Sequence, residues 1–162
     1  VMGILNVTPD SFSDGGRLRS VAAAVEAGLA MVEAGADIID VGGESTRPGA
    51  QPVPADEELR RVVPVVAALR AATGALVSVD TSAPQVMVEA VAAGADLIND
   101  VRALRRPGAL DTAARLGVPV VLMHMQGEPA TMQASPAYAD VAAEVLAFLA
   151  GRIGACVTAG LP

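Results

Sequence analysis

Five short apolar runs, each followed by a longer segment of helical spacing, are the feature that most restricts the fold of this chain. The runs are apolar at consecutive positions rather than at alternate ones. Strands of this type are buried on both faces, as in a parallel sheet that is covered by helices. The pattern predicts five β/α units, with strands at residues 1–5, 38–41, 76–79, 97–98 and 118–123.

An internal repeat supports this prediction. The sequence Ala-Gly-Ala-Asp, followed directly by an apolar pair, occurs from Ala34 and again from Ala93. Gly35 and Gly94 suit the left-handed position that closes a helix, and Gly117 suits a third such position. Each copy is therefore predicted to be one helix end that leads into one strand.

The number of units indicates a partial barrel. A closed parallel barrel contains eight β/α units in about 250 residues, whereas this chain has five in 162 residues. The fold class predicted is α/β, with about five units of a TIM (β/α)8 barrel in a truncated chain, and residues 1–162 form a single incomplete domain. The outer edges of the first and fifth strands are then expected to be unpaired and to expose apolar surface.

Local signals predict details of the helices. Pro64 lies inside a helical pattern over residues 57–72 and is expected to bend or restart that helix. Ser82 followed by Pro84 predicts a helix cap and first turn. The last helix is predicted from about Tyr138 to Thr158, after a loop over residues 126–137 on the active-site side.

Bulk properties exclude several classes of protein. A net charge of −7 with 2% aromatic residues argues against a nucleic-acid partner. No run of about 18 apolar residues is evident, so no membrane span is predicted. The single cysteine, Cys156, cannot form an internal disulfide, and no Cys/His set has zinc spacing. These features predict a cytoplasmic protein.

Polar residues follow the predicted strands. The first run opens into a loop over residues 6–16 with hydroxyls, two carboxylates and paired glycines, and the second opens into a loop over residues 42–49. Asp80 and Asn99 end the third and fourth runs. Because a parallel barrel carries its active site at the carboxyl ends of its strands, this placement predicts an enzyme.

These loops, with residues 78–81, 98–100 and 122–127, resemble the dihydropteroate synthases, the folate-pathway enzymes that join a pterin to p-aminobenzoate. The resemblance runs from Val1 to Pro162 without an obvious gap. It implies condensation of 6-hydroxymethyl-7,8-dihydropterin diphosphate with p-aminobenzoate to give 7,8-dihydropteroate and diphosphate. It also implies a Mg²⁺ cofactor and a homodimeric full-length parent.

Asp80 and Asn99 are the predicted pterin-binding pair. A carboxylate can accept the two adjacent N–H groups of an amino-pyrimidinone, and a carboxamide can donate and accept beside it. For either residue alone, capping of its own loop is an equal alternative, but the resemblance assigns both to the pterin. Met123 is predicted to be a wall of the same pocket, although a methionine there more often packs in a core.

The resemblance supplies further assignments for the two long loops. It implies that Asn6 coordinates Mg²⁺, with Asp14 as the second contributor, and a carboxamide oxygen is a suitable ligand for this cation. Thr46 and Arg47 are the implied catalytic residues, in contact with the diphosphate.

Phe12 and Pro48 are the implied slot for the flat p-aminobenzoate ring, which sulfonamides would also enter. His124 lacks a nucleophile partner, so an orienting or structural role is predicted for it. Cys156 is predicted to be an inert helix residue.

The implied mechanism is substitution at the pterin methylene carbon, with the arylamine nitrogen as nucleophile and diphosphate as leaving group. The family also uses residues from strands six to eight, so the 162 residues alone are expected to have little or no activity. Two alternatives remain at this point. One is a pterin-dependent corrinoid methyltransferase, and the other is a noncatalytic pterin-binding remnant.

Overall fold

The computed structural model describes residues 1–7, 21–45 and 53–161. In these ranges, strands and helices alternate along the chain. The elements are β1 (Met2–Asn6), α1 (Val21–Glu33), β2 (Ile38–Gly42), α2 (Ala55–Ala72), β3 (Leu76–Asp80), α3 (Pro84–Ala92), β4 (Leu97–Asp100), α4 (Ala109–Leu116), β5 (Val120–Leu122) and α5 (Val141–Thr158).

The five strands form one parallel sheet in the order β1-β2-β3-β4-β5. Asn6 pairs in register with Gly42, Gly42 with Asp80, and Asp80 with Asn99. The carboxyl ends of the first four strands therefore lie side by side at one edge of the sheet. The predicted succession of five β/α units is confirmed.

The helix ends predicted from the repeat are also confirmed. Gly35, Gly94 and Gly117 have φ values of 100°, 109° and 66°. A residue with a Cβ is strained in this region, so glycine favours an abrupt turn from helix to strand at these three points. The repeated sequence therefore has the same conformation in both copies.

The core lies between the sheet and helices α2 and α3. Ile39, Val77 and Ile98 on the strands are fully buried. They share one apolar cluster with Leu69 and Met87 on the helices. Burying one such side chain contributes about 1.5–3 kcal/mol, so this cluster is the stabilising centre of the fold.

Pro64 does not restart its helix, so the restart, one of the two predicted effects, is wrong. α2 continues from Ala55 to Ala72 with Pro64 inside it. Proline removes one intrahelical hydrogen bond. The buried side chains of Val62, Val65 and Val66 anchor the helix on both sides of that position, and this packing offsets the loss.

Ser82 is not the cap of α3, so that part of the helix prediction is wrong. The N-cap position is Ala83, which makes no side-chain cap hydrogen bond, although Pro84 does occupy the first turn as predicted. The Ser82 hydroxyl instead donates to Oδ1 of Asp100. The serine belongs to a buried polar cluster rather than to a helix end.

α5 begins three residues later than predicted. Oδ1 of Asp140 accepts from the Ala143 amide at 3.0 Å, and Oε1 of Glu144 accepts from the Ala139 amide at 2.8 Å. Such caps satisfy backbone donors that have no intrahelical partner. They place the start at Val141.

α5 also differs from the prediction that no segment is apolar enough to cross a membrane. Residues Val141–Thr158 meet the length and composition for a span, with a mean hydropathy of 1.6, and 6% of this window is buried. One such helix is weak evidence for a span. Arg152 ties α5 to the preceding part of the fold by donating to the carbonyls of Ala103 and Leu104 at 2.8 and 3.2 Å.

The expected edge surface is present. β1 and β5 are the outer strands of the sheet. Ile4 is 65% exposed and Leu146 on α5 is 70% exposed. These apolar side chains lie away from the main core.

Candidate active site

The predicted pterin pair is adjacent on the sheet. Asp80 is the last residue of β3, and its register partner on β4 is Asn99. Both side chains are half-buried. Their acceptor and donor groups therefore stand at one edge of the sheet, accessible from the mouth formed by the carboxyl ends of the strands.

Asp40 is a third member of this group, which the sequence analysis did not assign. Nδ2 of Asn99 donates to Oδ2 of Asp40 at 2.9 Å. Asp40 is 4% exposed, and its Oδ1 has no hydrogen-bond partner among the described residues. Because one N–H of Asn99 donates to Asp40, the orientation of the Asn99 amide is set. Oδ1 of Asn99 is then placed to accept a hydrogen bond from a ligand.

The sequence contained a signal for Asp40. It occupies the same place in the first copy of the repeat as Asn99 occupies in the second. Equivalent positions on parallel strands point toward the same face, since side chains alternate with a period of two. The repeat therefore predicts a polar pair, although it does not show that the two side chains meet.

Gly42 leaves space between Asn6 and Asp80. A Cβ built on Gly42 would lie 3.5 Å from Oδ1 of Asn6 and 3.5 Å from Oδ2 of Asp80. Two polar oxygens on the neighbouring strands thus face the same point above β2. A glycine there keeps that space open for a ligand group.

The surroundings of Asp80 disfavour its ionised form. Burial raises the pKa of this carboxyl to about 7, and the nearby carboxylates of Asp40 and Asp100 add to the effect. Groups with raised pKa values in a polar cleft are frequent at functional sites. A ligand that offers N–H donors would compensate the lost hydration.

A strained turn follows β4. Ala103 and Leu104 have φ values of 53° and 57°, in a region that is costly for residues with a Cβ. The buried carboxylate of Asp100 accepts from the amides of Arg102 and Leu104 at 2.9 and 2.8 Å. The turn is therefore held by a side chain from the strand end.

Arg102 connects several of the segments that follow the strands. Its guanidinium donates to Oγ of Ser82 at 3.2 Å and to Oε2 of Glu44 at 3.4 Å. It also donates to Oε2 of Glu128 at 3.2 Å. The Arg102 side chain is 12% exposed, so water screens these pairs less than on an open surface. Arg102 could not be predicted from the sequence, because its partners are distant in the chain.

Arg102 also lines an open cleft of about 390 Å³. Its lining includes Arg105, Arg106, Pro107 and Glu128, and it does not include Asp80 or Asn99. The Arg105 guanidinium lies 5.6 Å from the centre of the Phe148 ring and donates to the Arg102 carbonyl. This cleft is separate from the predicted pterin pair.

The segment that follows β5 contains the predicted pocket wall, Met123. Met123 follows β5 and is 36% exposed, whereas Met125 is 6% exposed. Met123 therefore does not pack in the core, and it lies after the strand that neighbours β4. The His124 ring packs edge-on against Phe148 with centroids 4.9 Å apart, in keeping with a structural role.

The remaining predicted site residues are in the parts of the chain that the structure does not describe. These are the p-aminobenzoate slot, the second metal contributor and the catalytic pair, namely Phe12, Pro48, Asp14, Thr46 and Arg47. Among the predicted site residues, the described set is thus Asn6, Asp80, Asn99 and Met123.

Asn6 is a chemically suitable but incomplete metal site. Its carboxamide oxygen is a hard ligand of the kind that Mg²⁺ prefers, and it faces the open space above Gly42. Within residues 1–7, 21–45 and 53–161, no group of three or more His, Cys, Asp or Glu side chains could hold a metal ion. Further ligands would have to come from Asp14 or from a substrate.

A parallel β/α sheet with buried carboxylates and carboxamides at its carboxyl edge is typical of barrel enzymes that bind a polar small molecule. The sequence profile of the family described as "Pterin binding enzyme" matches residues 2–162. The chain belongs to this family.

Individual relatives are dihydropteroate synthases. The enzyme of Escherichia coli K12 is 56% identical over 161 residues, which are 99% of this chain and 57% of that protein. The structure of the Yersinia pestis enzyme with a sulfonamide drug complex is 54% identical with a TM-score of 0.94, over 99% of this chain and 58% of that one. The Xanthomonas albilineans enzyme with 4-aminobenzoic acid is 60% identical with a TM-score of 0.90, over 99% and 57%.

These similarities confirm the predicted resemblance and fold class, a part of a TIM barrel that contains five β/α units. They also show that the chain spans somewhat more than half of the length of the relatives that it matches.

Proposed function

We propose that the protein containing this chain is a dihydropteroate synthase. It condenses 6-hydroxymethyl-7,8-dihydropterin diphosphate with p-aminobenzoate and releases 7,8-dihydropteroate and diphosphate. The observation that carries the proposal is the adjacent pair of Asp80 and Asn99 at the carboxyl edge of the sheet, in a chain 56% identical to an enzyme of this activity.

Asp80 and Asn99 bind the pterin in this proposal. The Asp80 carboxylate accepts two adjacent N–H groups of the pyrimidinone edge. Asn99, oriented by its hydrogen bond to Asp40, presents its carbonyl oxygen to the next donor. Met123 covers part of the ring. These contacts place the methylene carbon toward the mouth of the barrel, where an arylamine can approach.

The reaction is a substitution in which the arylamine nitrogen bonds to the methylene carbon as the carbon–oxygen bond to diphosphate breaks, and the nitrogen then loses one proton to water or to the released diphosphate. Neutral arylamine is already a nucleophile, so the chain needs no strong base. Thr46 and Arg47 hold the departing diphosphate, and Phe12 and Pro48 position the aminobenzoate ring. Positioning and charge stabilisation then supply most of the rate enhancement. Mg²⁺ bound to Asn6 and Asp14 would neutralise diphosphate charge.

The proposal extends to the partners, the location, the inhibitors and the oligomeric state of the protein. The substrates are small molecules, so the protein requires neither a nucleic acid nor a membrane partner, and we place it in the cytoplasm. The slot that accepts p-aminobenzoate is proposed to accept sulfonamides as well, and the Yersinia pestis relative has been solved in complex with a sulfonamide drug. The complete gene product is a homodimer, which light scattering during gel filtration would test.

Turnover of the complete gene product tests the function. We expect dihydropteroate formation from both substrates with Mg²⁺, and loss of this activity in Asp80→Ala. Asp96→Ala is the matched control, because Asp96 lies at the other end of the sheet, immediately before β4. The isolated residues 1–162 should turn over little or not at all. A gene product that instead methylates a corrinoid protein, or binds pterin without turnover, would overturn the proposal.

A further inference from the structure

Two buried side chains connect the strand ends that carry the predicted pterin pair. Ser82 lies two residues after Asp80, and Asp100 directly follows Asn99. The Ser82 hydroxyl donates to Oδ1 of Asp100. Ser82 is 1% exposed and Asp100 is fully buried, so water does not compete for this hydrogen bond.

The Ser82–Asp100 hydrogen bond continues the pairing of β3 and β4 beyond the pterin pair. Asp80 and Asn99 are the last register pair of these two strands. After this pair, the Thr81 amide donates to the Asn99 carbonyl at 3.0 Å, and the Ser82–Asp100 bond follows one residue further along each segment. Because successive side chains of a strand point to opposite faces, Asp100 lies on the face away from the ligand side of Asn99.

The Asp100 carboxylate is itself held in place by the turn after β4. Its Oδ1 also accepts from the Arg102 amide at 2.9 Å, and its Oδ2 accepts from the Leu104 amide at 2.8 Å. Ala103 and Leu104 have positive φ values in this turn. Such strained backbone persists only where the surrounding contacts hold it, and it is frequent at functional sites. Ser82 is therefore bonded to an acceptor of fixed position.

The Ser82 hydroxyl has a second partner, since Nη1 of Arg102 donates to it at 3.2 Å. A hydroxyl that donates one hydrogen bond and accepts another has a defined orientation. Ser78 provides a contrast. It lies two residues before Asp80 and is fully buried, and its Oγ has no hydrogen-bond partner among the described residues. Two buried serines thus lie at equal sequence distance from Asp80, and only Ser82 is bonded to the end of β4.

We propose that Ser82 and Asp100 are positioning residues for the pterin site. Their hydrogen bond fixes the spacing between the ends of β3 and β4, and thereby the position of the Asp80 carboxyl relative to the Asn99 carboxamide. Two side chains that bind one flat ring must keep a constant separation, because small displacements in a site have large effects. Neither Ser82 nor Asp100 touches the substrate. The inference rests on the proposed function, since it concerns the pterin pair of that function.

Ser82→Ala in the complete gene product tests the proposal, because it breaks the bond between the strand ends and leaves both amide bonds of Asp100 in place. We expect the pterin dissociation constant, measured by calorimetry, to rise by about five- to tenfold. The KM for the pterin diphosphate should rise with it, and kcat should change less than KM, because the change affects binding of the ring.

Two controls distinguish positioning from a purely structural role. Ser78→Ala is matched in chemistry and in burial, and it should bind pterin as tightly as wild type. Asp96→Ala is the control for stability, since it removes the hydrogen bond to the Val77 amide at the other end of the sheet. If the loss of pterin affinity in the three variants simply follows the fall in melting temperature, the role of Ser82 is structural and the proposal is wrong.

Asp100→Asn should weaken pterin binding at least as much as Ser82→Ala, and it should also lower the melting temperature. Its amide nitrogen cannot accept a hydrogen bond, so the turn loses a contact as well. Because both substitutions act through the same bond, the double variant should lose less affinity than the product of the two single losses. Losses that multiply would contradict the proposal, as would wild-type affinity in Ser82→Ala.

If Ser82→Ala does not fold, Ser82→Cys decides the question, because it keeps the volume but has only a weak donor. Wild-type pterin affinity in Ser82→Cys then contradicts the proposal. A wild-type protein that binds pterin but forms no dihydropteroate contradicts the proposed function alone, and the dissociation constants of the same variants still decide the role of Ser82. A wild-type protein that binds no pterin contradicts both.

Discussion

Aspartate side chains at the two ends of the sheet differ in their hydrogen bonding and in their electrostatic surroundings. At the amino end, Oδ2 of Asp96 accepts from the Val77 amide at 2.8 Å and from Nη1 of Arg70 at 3.4 Å. At the carboxyl end, burial and neighbouring acids raise the pKa of Asp80 to about 7, and Oδ1 of Asp40 has no partner among the described residues.

The difference separates stability from function. Carboxylates at the amino end are satisfied by the protein's own donors, so they hold strands and helices together. At the carboxyl end, Asp100 is likewise satisfied, by the Ser82 hydroxyl and two amides of the following turn. Asp80 and Asp40 differ from it, because burial and neighbouring acids disfavour the ionised form of Asp80 and Oδ1 of Asp40 has no partner among the described residues. A ligand could complete the hydrogen bonds of these two residues. We expect substitutions at the amino end to change stability and substitutions at the carboxyl end to change pterin binding. The following experiments on the complete gene product test this.

The largest effect is expected for Asp80→Asn. The variant keeps the shape of the side chain but loses the charge and one of two acceptor positions. The pterin dissociation constant, measured by calorimetry, should rise by about 100-fold or more, as expected for the loss of a charge-assisted pair of hydrogen bonds. The melting temperature should not fall, because repulsion from Asp40 and Asp100 is relieved. If Asp80→Asn binds pterin as tightly as wild type, the carboxyl end of the sheet does not have the ligand-binding role that distinguishes it from the amino end.

A smaller effect is expected from pH. The pKa of Asp80 is raised to about 7, and below that value the carboxyl is protonated and can no longer accept two N–H groups. Pterin affinity should therefore fall by about tenfold between pH 8 and pH 6. Titrations across this range should show the change in wild type and not in Asp80→Asn. An affinity independent of pH in wild type would indicate that Asp80 is ionised throughout.

Asp96→Ala should affect stability alone. It leaves the Val77 amide unsatisfied and removes the partner of Arg70. We expect a loss of about 1–2 kcal/mol in the free energy of unfolding, mainly from the amide, with the pterin affinity of the folded protein unchanged. Denaturant titration and calorimetry measure the two quantities. If Asp96→Ala binds pterin more weakly under conditions in which all of the protein is folded, the two ends of the sheet do not have separate roles.

The smallest effect is expected for Ala103→Gly. Its φ of 53° is unfavourable for alanine and accessible to glycine. Relief of this strain, about 1–2 kcal/mol, is offset by the loss of one buried methyl group and by the greater backbone freedom of glycine in the unfolded chain. We therefore expect the free energy of unfolding to change by less than about 1 kcal/mol, as measured by denaturant titration. A clear destabilisation would show that the turn after β4 is not strained in the folded protein.

The sequence predicted the order of elements well because the signals are local. Continuous apolar runs, glycines after helices and a repeated motif each reflect neighbouring residues, and β2, β3 and β4 lie within two residues of their predicted bounds. The errors occurred where tertiary contacts outweigh local preference. Pro64 stays inside α2 because the valines around it are buried, and Ser82 bonds to Asp100 rather than capping α3.

The candidate site was predicted in part for the same reason. Asp80 and Asn99 were placed side by side because parallel strands align their carboxyl ends. Asp40 and Arg102 were missed, and so was the burial of Glu58 on α2. The sequence around Glu58 is that of a helix start exposed to solvent. Its neighbour Glu57 is in such an environment, and Arg60 and Arg61 lower the pKa of Glu57.

Periodicity and turn residues act over a few positions, so the class of fold, the order of five strands and helices, and the polar residues that end the strands are all readable from the amino-acid sequence. The contact of Asn99 with Asp40 across β3, the contacts of Arg102 with four segments, and the burial of Glu58 but not of Glu57 arise from the packing of distant segments. Those outcomes depend on which segments pack together, and burial changes the chemistry of a carboxyl far more than its neighbours in the sequence do.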